Sequence, residues 1–149
     1  MWKENESITL SKVCVFLFAL MLLLAAIFAP SLVSHFLTIS SNAREAGGAL
    51  FLMTIYVGSI PAAALLVSMY MLLRRISAGN VFVRKNVSSL RLMSWCLFGG
   101  AAIGTASAFY YLPWFPVGIA AAFMGLIVRV VKNVVAKAVS LQDDADFTI

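Results

Sequence analysis

Three long stretches of this chain carry no Asp, Glu, Lys or Arg: from Val13 to Ala43, from Ala46 to Leu73 and from Leu92 to Val128. A helix crosses a hydrocarbon core of roughly 30 Å with about 20 residues, because the helical rise is roughly 1.5 Å per residue. The first stretch holds one span near 13–33, and the second holds one near 48–73. The third is interrupted by Leu112-Pro113-Trp114-Phe115-Pro116, whose two prolines make a turn and divide it into spans near 92–111 and 117–137. The expected fold is therefore all-α: a polytopic membrane protein, an antiparallel bundle of four transmembrane helices in one domain, 1–149. An inner loop covers 74–91, and an acidic tail covers 140–149.

Composition agrees. Of 149 residues, 62% are hydrophobic and 11% are charged. A soluble domain is roughly 25% charged and a disordered chain is poor in apolar residues, so both classes are excluded. The first apolar stretch, Val13 to Ala29, exceeds the roughly 7–15 residues of a signal-peptide core, which marks a retained helix. Trp2 is a candidate interfacial anchor.

With a cytoplasmic N-terminus, Lys3, Lys12, Arg74, Arg75, Arg84, Lys85, Arg91, Arg129, Lys132 and Lys137 fall inside and only Arg44 falls outside. By the positive-inside rule both termini are cytoplasmic. The net charge of +5 is thus topological, not a nucleic-acid footprint. Arg129 lies deep enough to need snorkelling, with a functional buried charge as the other reading.

Within the spans, Pro61 removes a helical hydrogen bond to Val57 and, with Gly58, predicts a kink, either as packing geometry or as a hinge. Gly100, Gly104 and Ala108 recur every four residues and form a small-residue face for helix packing, inside the bundle or in a homo-oligomer. Tyr110, Tyr111, Trp114 and Phe115 read as an aromatic belt. On the last helix Val128, Val131, Val135 and Val139 form an apolar stripe, with Arg129, Lys132, Asn133 and Lys137 on another side.

Catalytic and metal chemistry find little footing. His35 is the single histidine, Cys14 and Cys96 stand in separate helices, and no phosphate-cradling glycine loop occurs. The chain is expected to be neither an enzyme nor a cofactor or metal protein. No carboxylate falls within a span, which argues against proton-coupled transport.

Two segments carry a resemblance: Gly79-Asn80-Val81-Phe82-Val83-Arg84-Lys85-Asn86-Val87-Ser88-Ser89-Leu90-Arg91, and the tail Leu141-Gln142-Asp143-Asp144-Ala145-Asp146-Phe147-Thr148-Ile149. With the four-span layout they resemble a bacterial integral-membrane family of unknown function, often encoded beside a small helix-turn-helix regulator. The resemblance implies a regulatory pairing with that partner. Where the family has Thr after Phe, this chain has Val83, so the usual helix cap is missing. Asn80 is the expected substitute, extending a helix over 81–92 that lies along the inner leaflet before turning into the third span.

The tail is placed to meet the loop. Arg74, Arg75, Arg84, Lys85 and Arg91 are expected to contact a partner or anionic lipid, and Asp143, Asp144 and Asp146 to fold back on them, with Phe147 and Ile149 adding an apolar grip. The alternative is a frayed tail beside a lipid-binding loop. The leading expectation is a non-enzymatic regulatory or sensory membrane component. The rival is a small transporter, a pore, or a bacteriocin-type immunity protein.

Overall fold

The computed structural model describes residues 3–147; Trp2, Thr148 and Ile149 lie outside the described residues, and so do the roles expected of Trp2 and Ile149. Five helices follow in order: α1 (Glu4–Ile39), α2 (Ser41–Ala46), α3 (Gly48–Ser77), α4 (Arg84–Ser107) and α5 (Trp114–Phe147). There is no strand among the described residues. Helices suit lipid because every backbone polar group is satisfied within the segment. All but α2 are long and apolar enough to cross a bilayer. The chain is an all-α, multi-pass membrane protein.

The helices run well past the hydrocarbon. At about 1.5 Å per residue, α1 is roughly 54 Å long and α5 roughly 51 Å, against a bilayer of about 40–45 Å including headgroups. Both α1 and α3 continue without interruption through their internal prolines, Pro30 and Pro61. Pro116 sits in the first turn of α5, where no N–H is required.

Connections are short, so sequential neighbours are antiparallel. α3 packs against α1 and α4, and α4 packs against α3 and α5. α4 is thus the central element. Its seam with α5 is the closest in the molecule. A Cβ on Gly104 would lie 2.9 Å from Gly118 Cα, and one on Gly118 would lie 2.8 Å from the Thr105 backbone nitrogen. One heptad on, Ser94 donates to the Gly125 carbonyl at 3.2 Å. Along α5 the buried positions Gly118, Gly125 and Val139 fall at multiples of seven, with half-buried Lys132 between them. The expected valine stripe holds at Val128, Val135 and Val139 and fails at Val131, which is exposed while the neighbouring Lys132 is half-buried.

The small-residue face of α4 also divides. Gly104 is at the seam, and Ala108 forms the helix C-cap. At Gly100 an added Cβ meets nothing within 4 Å, and the same holds for Gly58. Those two glycines wall an apolar crevice of about 280 Å³ that also touches Leu22, Thr54 and Trp114. The Trp114 indole nitrogen is buried without a hydrogen-bond partner.

One end of the bundle is closed by rings. Phe51 meets Phe36, Tyr110 and Tyr111 edge-on, with centroids 5.7, 5.2 and 5.2 Å away. Thr54 Oγ1 is 2.9 Å from Ser107 Oγ and 2.6 Å from the Tyr110 hydroxyl, joining α3 to the α4–α5 turn. Tyr110, Tyr111 and Trp114 therefore pack inward on the Val33–Ala43–Phe51 core and do not form the expected belt. Phe109, 95% exposed, and Leu112, 73% exposed, face outward instead. Arg44, the lone base at this end, donates from Nε to the Leu37 carbonyl and from Nη2 to the Thr38 carbonyl, both at 3.2 Å. It caps carbonyls that α1 leaves unpaired, at the negative end of that helix dipole.

Candidate functional site

The opposite, basic end is where the expected contact residues gather. α3 stops there in a Schellman turn: Gly79 takes a left-handed φ of +88°, its N–H donates to Ile76, and the Asn80 N–H donates to Arg75, each at 3.0 Å. Six residues, 78–83, then lead into α4, which starts at Arg84.

This corrects the expected loop. There is no separate surface helix over 81–92, because residues 84–91 are the first turns of the spanning helix itself. Val83 occupies the N-cap position with extended φ and ψ and no side-chain cap. Asn80 does not cap; its carbonyl instead accepts from Asn86 Nδ2 at 2.8 Å. The same amide nitrogen donates to the Val81 carbonyl at 2.7 Å, and Asn86 Oδ1 accepts from Arg75 Nη1 at 3.4 Å. Asn86 is 1% exposed, the largest fully buried side chain among the described residues. Its amide replaces the water that the turn's carbonyls would otherwise need.

Arg75 belongs to this internal network, since Nη1 also donates to Ser89 Oγ at 2.7 Å and to the Lys85 carbonyl at 3.3 Å. It holds the turn in place, and its guanidinium is half-buried. Arg74 is exposed and borders a small cleft with Met71 and Asn80. The Lys85 side chain is exposed as well.

Arg84 and Arg91 face α5. With Val87 and Ser88 they occupy positions i, i+3, i+4 and i+7 of α4, one helical face. Across from them α5 continues as helix through the expected tail, presenting Ala136, Val139, Ser140, Asp143, Asp144 and Phe147. The two faces bound a cleft of about 460 Å³. Asp146 is exposed and does not line it.

Arg84 Nη2 and Asp143 Oδ2 close to 3.0 Å, joining loop and tail across 59 residues of sequence. The side chains are 84% and 40% exposed, so this contact is worth about 0–1 kcal/mol and weakens with salt. The charges suit the partner helix better than their own. The first turn of α4 holds no acid and the last turn of α5 no base, so each helix carries charge of the wrong sign for its own dipole. Side by side and antiparallel, Arg84 meets the negative end of α5 and Asp143 the positive end of α4.

The cleft therefore has one cationic wall, one anionic wall and an apolar floor. Val87, Ser88 and Ser140 were not expected to line a site, and Val139 was expected only as part of an apolar stripe; the signal for them is the i, i+3, i+7 spacing they share with the charged residues. No group of three or more His, Cys, Asp or Glu residues is arranged to hold a metal among the described residues.

No curated protein and no solved structure matches the chain. One family pattern does, over residues 9–149, and it takes in both the Gly79–Arg91 segment and the acidic end of α5. The chain belongs to DUF2975, a family of proteins of unknown function.

Proposed function

We propose that this protein is a non-enzymatic regulatory component of a bacterial plasma membrane, with both termini and the basic end in the cytoplasm. There it presents the α4–α5 cleft to a cytosolic partner, of which a small helix-turn-helix regulator is the leading candidate. The lopsided placement of bases supports the orientation. The Arg84–Asp143 contact is the observation that carries the partner reading. It is exposed and weak, so a partner offering an acidic or a basic side chain can replace either half of it.

The test uses the full chain and a truncation ending at residue 142. Both are co-expressed with the helix-turn-helix protein encoded nearest the gene, and capture of that protein and transcription of its target are measured. The truncation is expected to insert normally and to lose capture. Equal capture and equal transcription by the two forms would overturn the reading. Flux of a tracer through proteoliposomes would favour the rival, a small transporter or pore. Orientation is checked separately with single cysteines at positions 80 and 112, in a background without Cys14 and Cys96; position 80 is expected to react only from the cytoplasmic side.

A further inference from the structure

We propose that the α4–α5 cleft binds the headgroup of a phospholipid that carries both a phosphate and a primary ammonium, namely phosphatidylethanolamine. The proposal is independent of any protein partner and rests on the height of the cleft, its charge layout and its apolar floor. Arg91 lies about 24 Å along α4 from Ser107, which neighbours the ring cluster at the other end. Across a hydrocarbon core of about 30 Å that leaves Arg91 just inside the opposite edge, from which its long side chain reaches outward to the interface. Arg84 is about 10 Å farther out. On α5, Asp143 is about 44 Å from Trp114, farther past the same core edge than Arg84. The charged groups of the cleft thus span the headgroup layer.

The apolar residues of the cleft, Val87, Ala136 and Val139, lie on the core side of Asp143. The volume of about 460 Å³ is within the roughly 300–1,000 Å³ of small-ligand sites. The exposed guanidinium of Arg91, at the interface, pairs with the lipid phosphate. Asp143 accepts the ammonium: a carboxylate offers about four lone-pair sites and Arg84 takes one of them. Asp144 on the same wall adds negative charge. Phe147, lining the cleft and 90% exposed, adds an apolar ring beside the charged groups.

Charge of both signs makes the cleft selective. Phosphatidylglycerol would satisfy the arginines and place its net negative charge against two carboxylates. Phosphatidylcholine has the same formal charges as the proposed ligand, but its quaternary nitrogen has no N–H to donate.

The full chain, delipidated in detergent, is incubated with equimolar phosphatidylethanolamine, phosphatidylcholine and phosphatidylglycerol of matched acyl chains, and the retained lipids are counted by native mass spectrometry. Phosphatidylethanolamine is expected to be retained about fivefold over each of the others, the effect of about one exposed charge-assisted contact. The double variant Asp143→Asn, Asp144→Asn is expected to lose the preference over phosphatidylcholine while still retaining phospholipid. Arg91→Gln is expected to lower retention of all three. Thermal unfolding of each variant in the same detergent shows that the bundle is intact. Equal retention of the three lipids by the wild type, a preference for phosphatidylglycerol, or a preference that survives in the double variant would each overturn the proposal. Indifference to headgroup is also the result expected if the cleft is instead a groove for a protein helix.

Discussion

The α4–α5 hairpin and α1 are both long apolar helical segments in lipid, yet they are held in different ways. The hairpin is fastened along its length: Gly104 touches Gly118, Ser94 reaches the Gly125 carbonyl, and Arg84 meets Asp143. α1 lies against α3 along one narrow stripe, with Val15, Ala29 and Val33 buried and Leu22 and Ala26 half-buried. Most of its large side chains, Phe16, Phe18, Met21 and Ile27 among them, remain exposed. Lipid tails are as apolar as leucine, so burying such side chains between helices gains little. What holds two helices together in a bilayer is close backbone approach and interhelical hydrogen bonds. The hairpin has both, and α1 has one hydroxyl contact, from Tyr56 to the Ala26 carbonyl at 3.2 Å.

The largest effect is expected at the seam. In Gly118→Ala the new methyl would sit 2.7 Å from Thr105 Oγ1 and 3.0 Å from the Ala101 carbonyl oxygen. Two of its near neighbours are backbone atoms, which cannot rotate away, so the helices must separate. A loss of about 3 kcal/mol, the upper part of the overpacking range, is expected in unfolding titrations with a denaturing detergent. Gly100→Ala is the control from the same face of α4: its methyl enters the open crevice, and a change under about 0.5 kcal/mol is expected. Similar losses in both would mean that the seam is no tighter than the crevice.

Second in size is Asn86→Leu, which shows whether the basic end of the hairpin depends on buried polarity. The leucine fills comparable space but leaves the Asn80 and Val81 carbonyls without their donor and removes one acceptor from Arg75. About 1–3 kcal/mol is expected for stranded buried groups. Proteolysis between residues 78 and 83 should quicken, because the amide ties that turn to α4. An unchanged cleavage rate would show that the turn is held by the Gly79 cap alone.

How much of this was legible in the sequence follows from what lipid does to sequence signals. The four spans were readable from charge-free runs, because charge is expensive in hydrocarbon and its absence is visible along a chain. The contact residues Arg84, Arg91 and Asp143 were readable too, as charges of opposite sign brought to one side by topology. Packing faces were not. In a soluble helix polar residues mark the outer face, but in a span both faces are apolar, so Gly100 and Gly104 look alike and Val131 looks more buried than Lys132. Gly118 and Gly125 carried a readable sign, a spacing of seven, but it is weaker than repeats of four. Tyr110 and Tyr111 misled for the opposite reason: interfacial rings usually face lipid, and only the partners Thr54 and Phe51, distant in sequence, turn them inward. Asn86 stood in a recognisable motif, yet its burial depends on the Schellman turn at Gly79 folding the loop back over it.

The smallest effect is expected on the α1 side. Tyr56→Phe removes the hydroxyl that reaches Ala26 and leaves the ring in place. Pro30 has no N–H to give the Ala26 carbonyl, so the Tyr56 hydroxyl is its donor; the tyrosine is exposed, which limits the cost of losing it. Interhelical hydrogen bonds in membranes average about 0.6 kcal/mol and reach about 1.7, and a loss within that range is expected. The same detergent titration that reads Gly118→Ala reads this variant, which gives the contrast a direct scale. A Tyr56→Phe loss as large as that of Gly118→Ala would place the strength of the bundle in α1 after all. The expected outcome is the smaller loss in Tyr56→Phe, with α1 loosening first while the α4–α5 hairpin and its charged cleft stay assembled.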